Sequence, residues 1–332
     1  MRKKATIKDV AKMANVSTAT VSHVLNKTKN VKRATEVRVM QAVKELNYIP
    51  NTMAKHLKRD HTHLVGLLIS DIANPFFPPV VRGIEDYLAS QGYQLILSET
   101  NGTLENEKQH LQTLLERRID ALIVSLATSE ERHFENLDLP LVFFNRIPVS
   151  NKFNKVGFKS FDAAYNVAKH FLDHGYENIS IIVGPQTIST GRDRLLGFKE
   201  AIKERNKELE EKYLQIRDFS IEAGFEGMKY LMHLDVPPRA VFASNYAITL
   251  GALKYLKENN HKIPTEIAFI GYDDAPWTPL ADPPLTLISY PLSEMGKEIG
   301  KMVVELIRAE DTPVAKTLQF EGELVVRKSC GC

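Results

Sequence analysis

Short apolar runs alternate with amphipathic segments throughout the chain beyond residue 62. Parallel strands that are buried on both faces are continuous apolar runs, and joining two of them needs a crossover, usually a helix. Because such crossovers are right-handed, successive units wind helices onto both faces of one sheet, so the alternation predicts a doubly wound α/β architecture. The first series has predicted strands at 64–69, 93–97, 121–126 and 141–144 and predicted helices at 77–90 and 105–118.

A second series of the same kind follows the segment 159–162. It has predicted strands at 179–183, 240–243 and 267–270 and predicted helices at 194–204, 224–233 and 248–258. A chain of 332 residues exceeds the size at which a single core keeps growing, so the two series indicate two doubly wound parallel-sheet lobes. We expect a final helix at 293–309 and a strand at 323–327 to pass back between the lobes.

The first 60 residues differ in charge from the rest of the chain. They hold 14 Lys and Arg against 4 Asp and Glu, a net charge of +10, whereas the remaining residues hold 29 against 37, a net charge of −8. A basic segment on an acidic body favours a polyanion as the partner of that segment, although a solvated basic arm has the same composition.

Three short helices are predicted in the basic segment. Thr6 and Asp9 form a capping-box pattern before the first helix, and Ser17 can cap a second helix that begins near Thr18. With a third helix at 35–46, this pattern describes a small all-α helix-turn-helix unit, whose second helix fits a major groove roughly 12 Å wide. A plain three-helix bundle is the alternative. The side chains expected at DNA in this unit are Thr6, Ser17, Thr18, Ala19, Thr20, Ser22, His23 and Asn26.

A marginal helix is predicted directly after this unit. Pro50 discourages helix before it, and Asn51 can cap a short helix that runs to Leu57. About two turns do not repay the nucleation cost in water, so we expect order there only when the segment packs against a second copy and DNA. Lys58 and Arg59 would meet phosphates, with a solvated linker as the alternative.

The basic segment also carries a specific motif pattern. Its parts are Thr-Ile-Lys-Asp-Val-Ala at 6–11, Asn-Val-Ser at 15–17, Thr-Val-Ser at 20–22 and Val-Leu-Asn at 24–26. This pattern resembles the DNA-binding signature of the LacI/GalR family of bacterial transcription regulators, and the resemblance continues to the C-terminus. It implies type I periplasmic-binding-protein-like lobes and a homodimer that represses transcription from a pseudo-palindromic operator.

The resemblance includes the segment after the third helix. Residues 46–51, followed by Ala54 and Leu57, are similar to the family's hinge, whose leucine is inserted into the minor groove. Where the family has arginine, this chain has Lys55, which keeps the cation but loses the planar fork. The hinge residues expected at DNA are Asn51, Ala54, Lys55, Leu57 and Lys58.

The resemblance and the charge pattern together give an expected domain division. It comprises a helix-turn-helix domain at 1–49, a hinge helix and linker at 50–60, and an effector-binding and dimerisation domain at 61–332. Within the last, the N-subdomain is expected at 61–161 and 293–320, and the C-subdomain at 162–290 and 321–330.

Polar residues follow the predicted strands at their carboxyl ends. Open α/β sheets bind ligands at this edge, so side chains from both lobes should converge on one cleft. Arginine guanidinium groups would donate paired hydrogen bonds to a ligand, beside an amide and a carboxylate, and two phenylalanines would stack on the ring of that ligand. The resemblance assigns effector contacts to Arg194, Asn245 and Asp273. The full expected set is Asp71, Phe76, Asn145, Arg146, Arg194, Phe219, Asn245 and Asp273.

Alternatives stay open for several of these residues. Asp71 also fits a helix cap, Phe76 also fits core packing, and loop arginines are commonly surface ion pairs. Asn145 stands where sugar-binding relatives often have aspartate, which favours an anionic effector among the sugars, sugar acids and sugar phosphates. Gram-positive relatives can also use a phosphorylated carrier protein as corepressor, and this partner stays open as well.

Other function classes find little support in the sequence. The chain has no GxGxxG, Walker lysine loop, GxSxG or HExxH motif, so we predict a protein that is not an enzyme and has no cofactor. A solute-binding protein would explain the lobes but not the basic segment. No long apolar stretch and no export signal is evident, so we expect a cytoplasmic protein without membrane contact.

Both cysteines lie in the last three positions of the sequence, Cys330 and Cys332. We expect reduced tail thiols and no metal site, because a metal would need further ligands near this tail and the ten histidines show no ligand spacing.

Overall fold

The computed structural model describes residues 5–26, 29–46, 48, 61–311 and 313–332. The predicted hinge, with its candidate DNA contacts Asn51, Ala54, Lys55, Leu57 and Lys58, lies outside the described residues. The chain divides into two compact units, Met1–Thr62 and His63–Cys332.

The first unit contains three helices around a small apolar core. They are α1 (Ile7–Ala14), α2 (Thr18–Asn26) and α3 (Arg33–Glu45). The predicted capping box is present, since the Thr6 hydroxyl accepts from the amide of Asp9 while the Asp9 carboxylate accepts from the amide of Thr6. Each helix contributes a fully buried valine to this core: Val10 from α1, Val21 from α2 and Val39 from α3. The helix-turn-helix prediction is therefore confirmed, with α3 beginning two residues earlier than expected.

The first lobe of the second unit is a six-stranded sheet with helices on both faces. Its strands are β1 (Leu64–Ile69), β2 (Gln94–Glu99), β3 (Ala121–Val124), β4 (Leu141–Phe144), β5 (Asn154–Phe158) and β11 (Thr317–Phe320), and its helices are α4 (Phe77–Ser90), α5 (Leu104–Glu116) and α10 (Leu292–Arg308). The strand order is β2-β1-β3-β4-β5-β11, and every neighbouring pair is parallel.

The second lobe repeats this plan. Its strands are β6 (Ile179–Val183), β7 (Leu214–Ile216), β8 (Ala240–Ala243), β9 (Ala268–Tyr272), β10 (Thr286–Ser289) and β12 (Glu323–Val325), and its helices are α6 (Ser160–Asp173), α7 (Ser189–Lys203), α8 (Ile221–Met232) and α9 (Tyr246–Glu258). The order is β7-β6-β8-β9-β10-β12, with β12 antiparallel to β10. The two predicted parallel-sheet lobes are confirmed.

In the described chain, the polypeptide passes between the lobes after β5, after β10 and after β11. Two aromatic rings meet at these crossings, where the centroids of Phe158 and Tyr290 lie 4.1 Å apart. Lys159, which follows β5, forms an ion pair with Glu321, which follows β11. These crossings hold the carboxyl ends of the parallel strands of both sheets toward a shared cleft.

Several elements differ from the sequence prediction. Strands β5, β7, β10 and β11 and helix α6 were not predicted, and α7 begins at Ser189 rather than at residue 194. Polar residues hide the pattern in β5, where Lys155 is buried and its Nζ donates to the carbonyl of Ser150 at 3.0 Å.

The prediction of reduced thiols in the C-terminal tail was wrong, and so was its premise that no further ligand atom lies nearby. Cys330 and Cys332 are joined to each other by a disulfide rather than standing as reduced thiols. A further ligand atom does lie near them, because Nε2 of His170 on α6 is 3.3 Å from Sγ of Cys332. His174, the C-cap residue of α6, follows His170 by four residues, and the ring centroids of the two histidines are 4.3 Å apart.

Candidate functional site

A cavity lies between the two lobes of the second unit, with about 410 Å³ of empty space when the part open to solvent is included. It opens at the carboxyl ends of β1, β4 and β5 in the first lobe and of β7, β8 and β9 in the second. Its walls combine aromatic rings with hydrogen-bonding groups and two arginines, a composition suited to a small polar ligand. The lining residues are Ser70, Asn74, Phe76, Phe77, Asn145, Arg146, Phe158, Thr190, Arg194, Phe219, Asn245, Tyr272 and Asp273.

Arg194 is the most deeply buried charged residue of the cavity. It is 5% exposed, and its guanidinium lies 3.7 Å from the centroid of the Tyr272 ring. One terminal nitrogen donates to the carbonyl of Ser244 at 2.5 Å, but Nε is buried and has no hydrogen-bond partner among the described residues. A buried donor without an acceptor is costly, so this nitrogen is a natural contact for a ligand oxygen.

Asp273 supplies the carboxyl group of the cavity. It follows β9 in the left-handed conformation, with φ of 67°, as Asn145 follows β4 in the first lobe with φ of 57°. Burial raises the pKa of Asp273 to about 6, although the positive charge of Arg194 and the amide of Tyr246 act in the opposite direction. The carboxyl group of Asp273 therefore changes between its neutral and its ionised form close to neutral pH.

The second arginine of the cavity, Arg146, comes from the first lobe. Burial, together with repulsion from Arg194, lowers the pKa of Arg146 to about 10, so it stays a cation at neutral pH. Its guanidinium lies 5.1 Å from the ring centroid of Phe219 in the opposite lobe. The amide of the next residue, Ile147, donates across the cleft to Oγ of Ser189 at 3.2 Å. The two lobes thus touch directly at the cavity.

Asn245 caps helix α9 at the edge of the cavity. Its side-chain oxygen accepts from the amides of Ala247 and Ile248, at 2.9 and 3.4 Å. With the oxygen engaged, the amide nitrogen is the group that this residue offers to a ligand. The hydroxyl of its neighbour Tyr246 accepts from Nε1 of Trp277 at 3.3 Å.

Most of the residues predicted for the cleft come together in this cavity. Asp71 is the exception in the described part of the chain, because it is exposed and its carboxylate accepts from the amide of Ala73 at 2.8 Å within the loop after β1. The alternative that Asp71 caps the following helix was wrong as well, because α4 has Phe76 at its N-cap and no side-chain cap. The side chains that sequence reasoning missed are Ser70, Asn74, Phe77, Phe158, Thr190 and Tyr272. Tyr272 adjoins Asp273 in sequence, and its place at the end of a strand was the available signal.

A smaller cavity adjoins Arg146 on the side of helix α7, with about 260 Å³ of empty space when the part open to solvent is included. Arg192 lines it, and the guanidinium of Arg192 forms an ion pair with the neighbouring Asp193 at 3.1 Å. This residue is therefore an ion-paired side chain at the edge of the cleft, apart from the larger cavity.

The candidate DNA-contacting side chains lie on the helix-turn-helix unit. Thr6, Ser17, Thr18 and Ala19 are exposed, and Thr20, Ser22 and His23 are partly exposed; the side chain of Asn26 lies outside the described residues. Ser17 caps α2 by accepting from the amide of Thr20 at 3.1 Å, while Thr6 is engaged in the capping box. The exposed start of α2 is the part of the helix that enters a groove in such units.

The sequence of this chain is similar to sequences of bacterial transcription regulators. The model of the bacterial regulatory proteins of the lacI family matches residues 6–51, and that of the periplasmic binding protein-like domain matches residues 168–330. The chain is 35% identical to an HTH-type transcriptional repressor PurR from Photobacterium profundum over 329 residues, 98% of each chain. The chain belongs to the lacI family of bacterial regulatory proteins. A PurR repressor from Pasteurella multocida is also 35% identical over 98% of each chain.

Solved structures of lacI family regulators share the whole fold. A Lac repressor dimer bound to operator and the anti-inducer ONPF matches with a TM-score of 0.84 and 25% identity over 99% of each chain. A complex of the transcriptional regulator CelR with cellobiose matches with a TM-score of 0.75 and 28% identity over 98% of this chain and 99% of that one. This lacI family member is therefore a DNA-binding transcriptional repressor and not an enzyme. None of its described helices combines the length and the apolar composition that crossing a membrane requires.

Proposed function

We propose that this repressor binds a pseudo-palindromic operator as a homodimer and that a small metabolite in the interlobe cavity controls its affinity for DNA. Residues 1–49 would bind the major groove, the hinge 50–60 would insert Leu57 into the minor groove, and residues 61–332 would hold the effector and the dimer interface. The basic segment supports this division, because it carries the net charge of +10 beside an acidic body.

The effector class follows from the charge of the cavity. Two guanidinium groups face one carboxyl whose pKa is about 6, and the buried Nε of Arg194 lacks an acceptor among the described residues. Phe76 and Phe219 supply apolar faces beside these donors. A small oxygen-rich effector with an anionic group, such as a sugar acid or sugar phosphate, fits this arrangement best, and a neutral sugar is the second candidate. The buried, incompletely paired Arg194 is the observation that carries this proposal.

Control would act through the angle between the lobes. Contacts at the cavity, from Arg146 to Phe219 and from Ile147 to Ser189, already join the two lobes. A ligand that adds to these contacts or replaces them would therefore change the angle between the lobes. Closure would alter the spacing of the paired hinges and thereby their folding on DNA. Because coupling is reciprocal, a ligand that weakens DNA binding binds more weakly to the DNA complex, by roughly 5- to 150-fold for typical couplings.

The effector site is tested by substituting Arg194. We expect a panel of sugars, sugar acids, sugar phosphates and nucleobases to yield a compound that raises the melting temperature of the full-length protein and shifts its affinity for an operator. Arg194→Met should weaken that compound by roughly 10- to 150-fold, as for loss of a charged hydrogen bond, while operator affinity without effector stays unchanged. Lys199→Met, on the exposed face of the same helix, is the control. Equal effector affinity in Arg194→Met would refute the site.

The hinge is tested separately from the cavity. If Lys58 neutralises one phosphate, Lys58→Ala should reduce the slope of log K against log salt by about one, and Leu57→Ala should weaken operator binding without altering effector affinity. Fluorescence anisotropy of a labelled operator over a salt series measures both effects. An unchanged slope would remove the phosphate contact, and unchanged operator affinity in Leu57→Ala would remove the wedge.

A further inference from the structure

A cluster of sulfur and imidazole groups lies in the second lobe and takes no part in lining the interlobe cavity. One ligand atom each from His170, Cys330 and Cys332 lies within 4.8 Å of the others. His170 belongs to α6, whereas the cysteines end the chain, so folding brings together segments that are about 160 residues apart. Imidazole and thiol groups are the ligands that Zn²⁺ and similar thiophilic cations prefer in proteins.

The tail that carries the cysteines is anchored firmly in the lobe. The hydroxyl of Ser329 donates to the carbonyl of Phe269 at 2.7 Å and accepts from the amide of Thr286 at 2.8 Å. The hydroxyl of Tyr176 donates to the carbonyl of Cys330 at 3.0 Å. These bonds hold the Cys-Gly-Cys turn in place before any ligand arrives, which reduces the cost of ordering a site.

Groups around the sulfur of Cys330 also suit a thiolate. Cys330 is fully buried, and the hydroxyl of Thr286 donates to its Sγ at 3.2 Å. Donors that surround a ligating sulfur orient it and tune its affinity. Cys332 is exposed at the end of the chain, so a cation reaches the cluster from solvent and this sulfur is free to adjust its position.

A further imidazole, that of His174 at the C-cap of α6, is adjacent to the ring of His170. The ring centroid of His174 lies 4.3 Å from that of His170, and its Nδ1 lies 2.8 Å from the carbonyl of His170. Its Nε2 is then the nitrogen that a cation can use. Rotation of the exposed His174 side chain would bring this nitrogen to a cation held by the other three residues, and the four would then form the S₂N₂ set that is typical of tetrahedral zinc.

We propose that, in its reduced form, this repressor binds one thiophilic divalent cation of the Zn²⁺ class through Cys330, Cys332, His170 and His174. In the disulfide form the sulfurs are bonded to each other, so the site requires a dithiol reductant, which transfers two electrons and two protons to the disulfide. Metal binding then releases those two protons from the thiols. With metal distances of about 2.3 Å to sulfur and 2.0 Å to nitrogen, a tetrahedron needs ligand separations of roughly 3.3–3.8 Å. The observed distance of 3.3 Å from His170 to Cys332 meets this requirement.

The proposal is tested with Co²⁺ on the reduced full-length protein. We expect one Co²⁺ per chain, with a sulfur-to-metal charge-transfer band in the near ultraviolet and visible bands of tetrahedral cobalt, both removed by competing Zn²⁺. Cys332→Ser and His170→Ala should each weaken Co²⁺ binding by more than about 100-fold, since losing an outer-shell partner alone costs roughly 10- to 100-fold. His174→Ala should weaken it by at least about tenfold.

Matched controls separate a built site from adventitious binding. His233→Ala removes a histidine whose Nδ1 also lies 2.8 Å from the carbonyl four residues before it, and it should leave Co²⁺ affinity unchanged. Circular dichroism melting of each variant establishes that it is folded, and Cys332, being exposed, is the safer cysteine to replace. The proposal is overturned if the reduced protein shows no charge-transfer band, if the band survives in His170→Ala with unchanged affinity, or if the two cysteines cycle between thiol and disulfide without binding metal.

Discussion

Replacing Asp273 with asparagine should change how the stability of the second unit depends on pH. The residue is partly buried in the wall of the cavity and its φ is 67°, a conformation that asparagine tolerates, so the backbone needs no rearrangement. The substitution removes the ionisable group while keeping nearly the same shape. The difference in unfolding free energy between variant and parent therefore reports how much an ionised carboxylate in the cavity destabilises the fold.

The magnitude follows from the pKa of Asp273, which burial raises from the ordinary 3.8 to about 6. A carboxyl with a raised pKa holds its proton more tightly in the folded state, so its contribution to stability is present below pH 3.8 and is lost as pH rises through 6. At 1.36 kcal/mol per pH unit, the complete loss amounts to about 3 kcal/mol. About 1.4 kcal/mol of it falls between pH 5 and pH 7.5.

Urea unfolding, followed through the fluorescence of Trp277, measures this contribution. Trp277 is the chain's one tryptophan and belongs to the same lobe as Asp273. The free energy of unfolding of Asp273→Asn relative to the parent protein should rise by about 1.4 kcal/mol from pH 5 to pH 7.5. Asp71→Asn, at an exposed carboxylate, is the control and should show no such trend. If the curves of the Asp273→Asn variant and the parent protein stay parallel over this range, the reasoning from burial fails.

Two further predictions concern stability alone. Thr6→Ala removes the capping box of α1 and should destabilise the first unit by about 1 kcal/mol in thermal unfolding, whereas Thr6→Ser should retain most of the stability. Gly296→Ala should cost roughly 1–3 kcal/mol in urea unfolding, because a Cβ there would collide with the backbone carbonyl of Val80 where α10 crosses α4. Gly227→Ala, whose Cβ meets only the movable side chain of Ile182 at 3.0 Å, should cost less, and the reverse order would contradict this account.

The parts of the fold that sequence predicted well are those in which local pattern and burial agree. β1, β4, β6 and β8 were predicted to the residue because each is a short run, apolar except for Ser180 in β6, that is buried in the sheet. In β5, by contrast, tertiary hydrogen bonds from Lys155 allow a charged residue into a buried strand, and no local pattern reveals them. In β11, alternate exposed residues in a four-residue segment leave too little apolar signal.

The residues that line the cavity were predictable where the sheet topology alone determines their position. Side chains that directly follow strands, such as Asn145, Asn245 and Asp273, are placed by the topology of a parallel sheet, so their convergence follows once the strands are known. Thr190 was missed because α7 begins earlier than its apolar pattern indicates. The cluster at the C-terminus was missed because its two halves are close only after β10 and β12 pair and α6 packs onto their sheet.

The electrostatics of the cavity explain why one carboxyl matters to the choice of effector. With Asp273 ionised, the two guanidinium groups leave the cavity with one unbalanced positive charge, and protonation of Asp273 leaves two. An anionic effector therefore gains as pH falls through 6, whereas a neutral sugar that donates a hydroxyl to the carboxylate loses its acceptor. Since Arg194 lies beside Asp273 and lowers its pKa, removing Arg194 both deletes a donor and favours the protonated acid. The two residues act as a coupled pair. In an Arg194 variant, protonation of Asp273 should offset part of the lost affinity for an anionic effector, and it should add to the lost affinity for a neutral sugar that donates to the carboxylate.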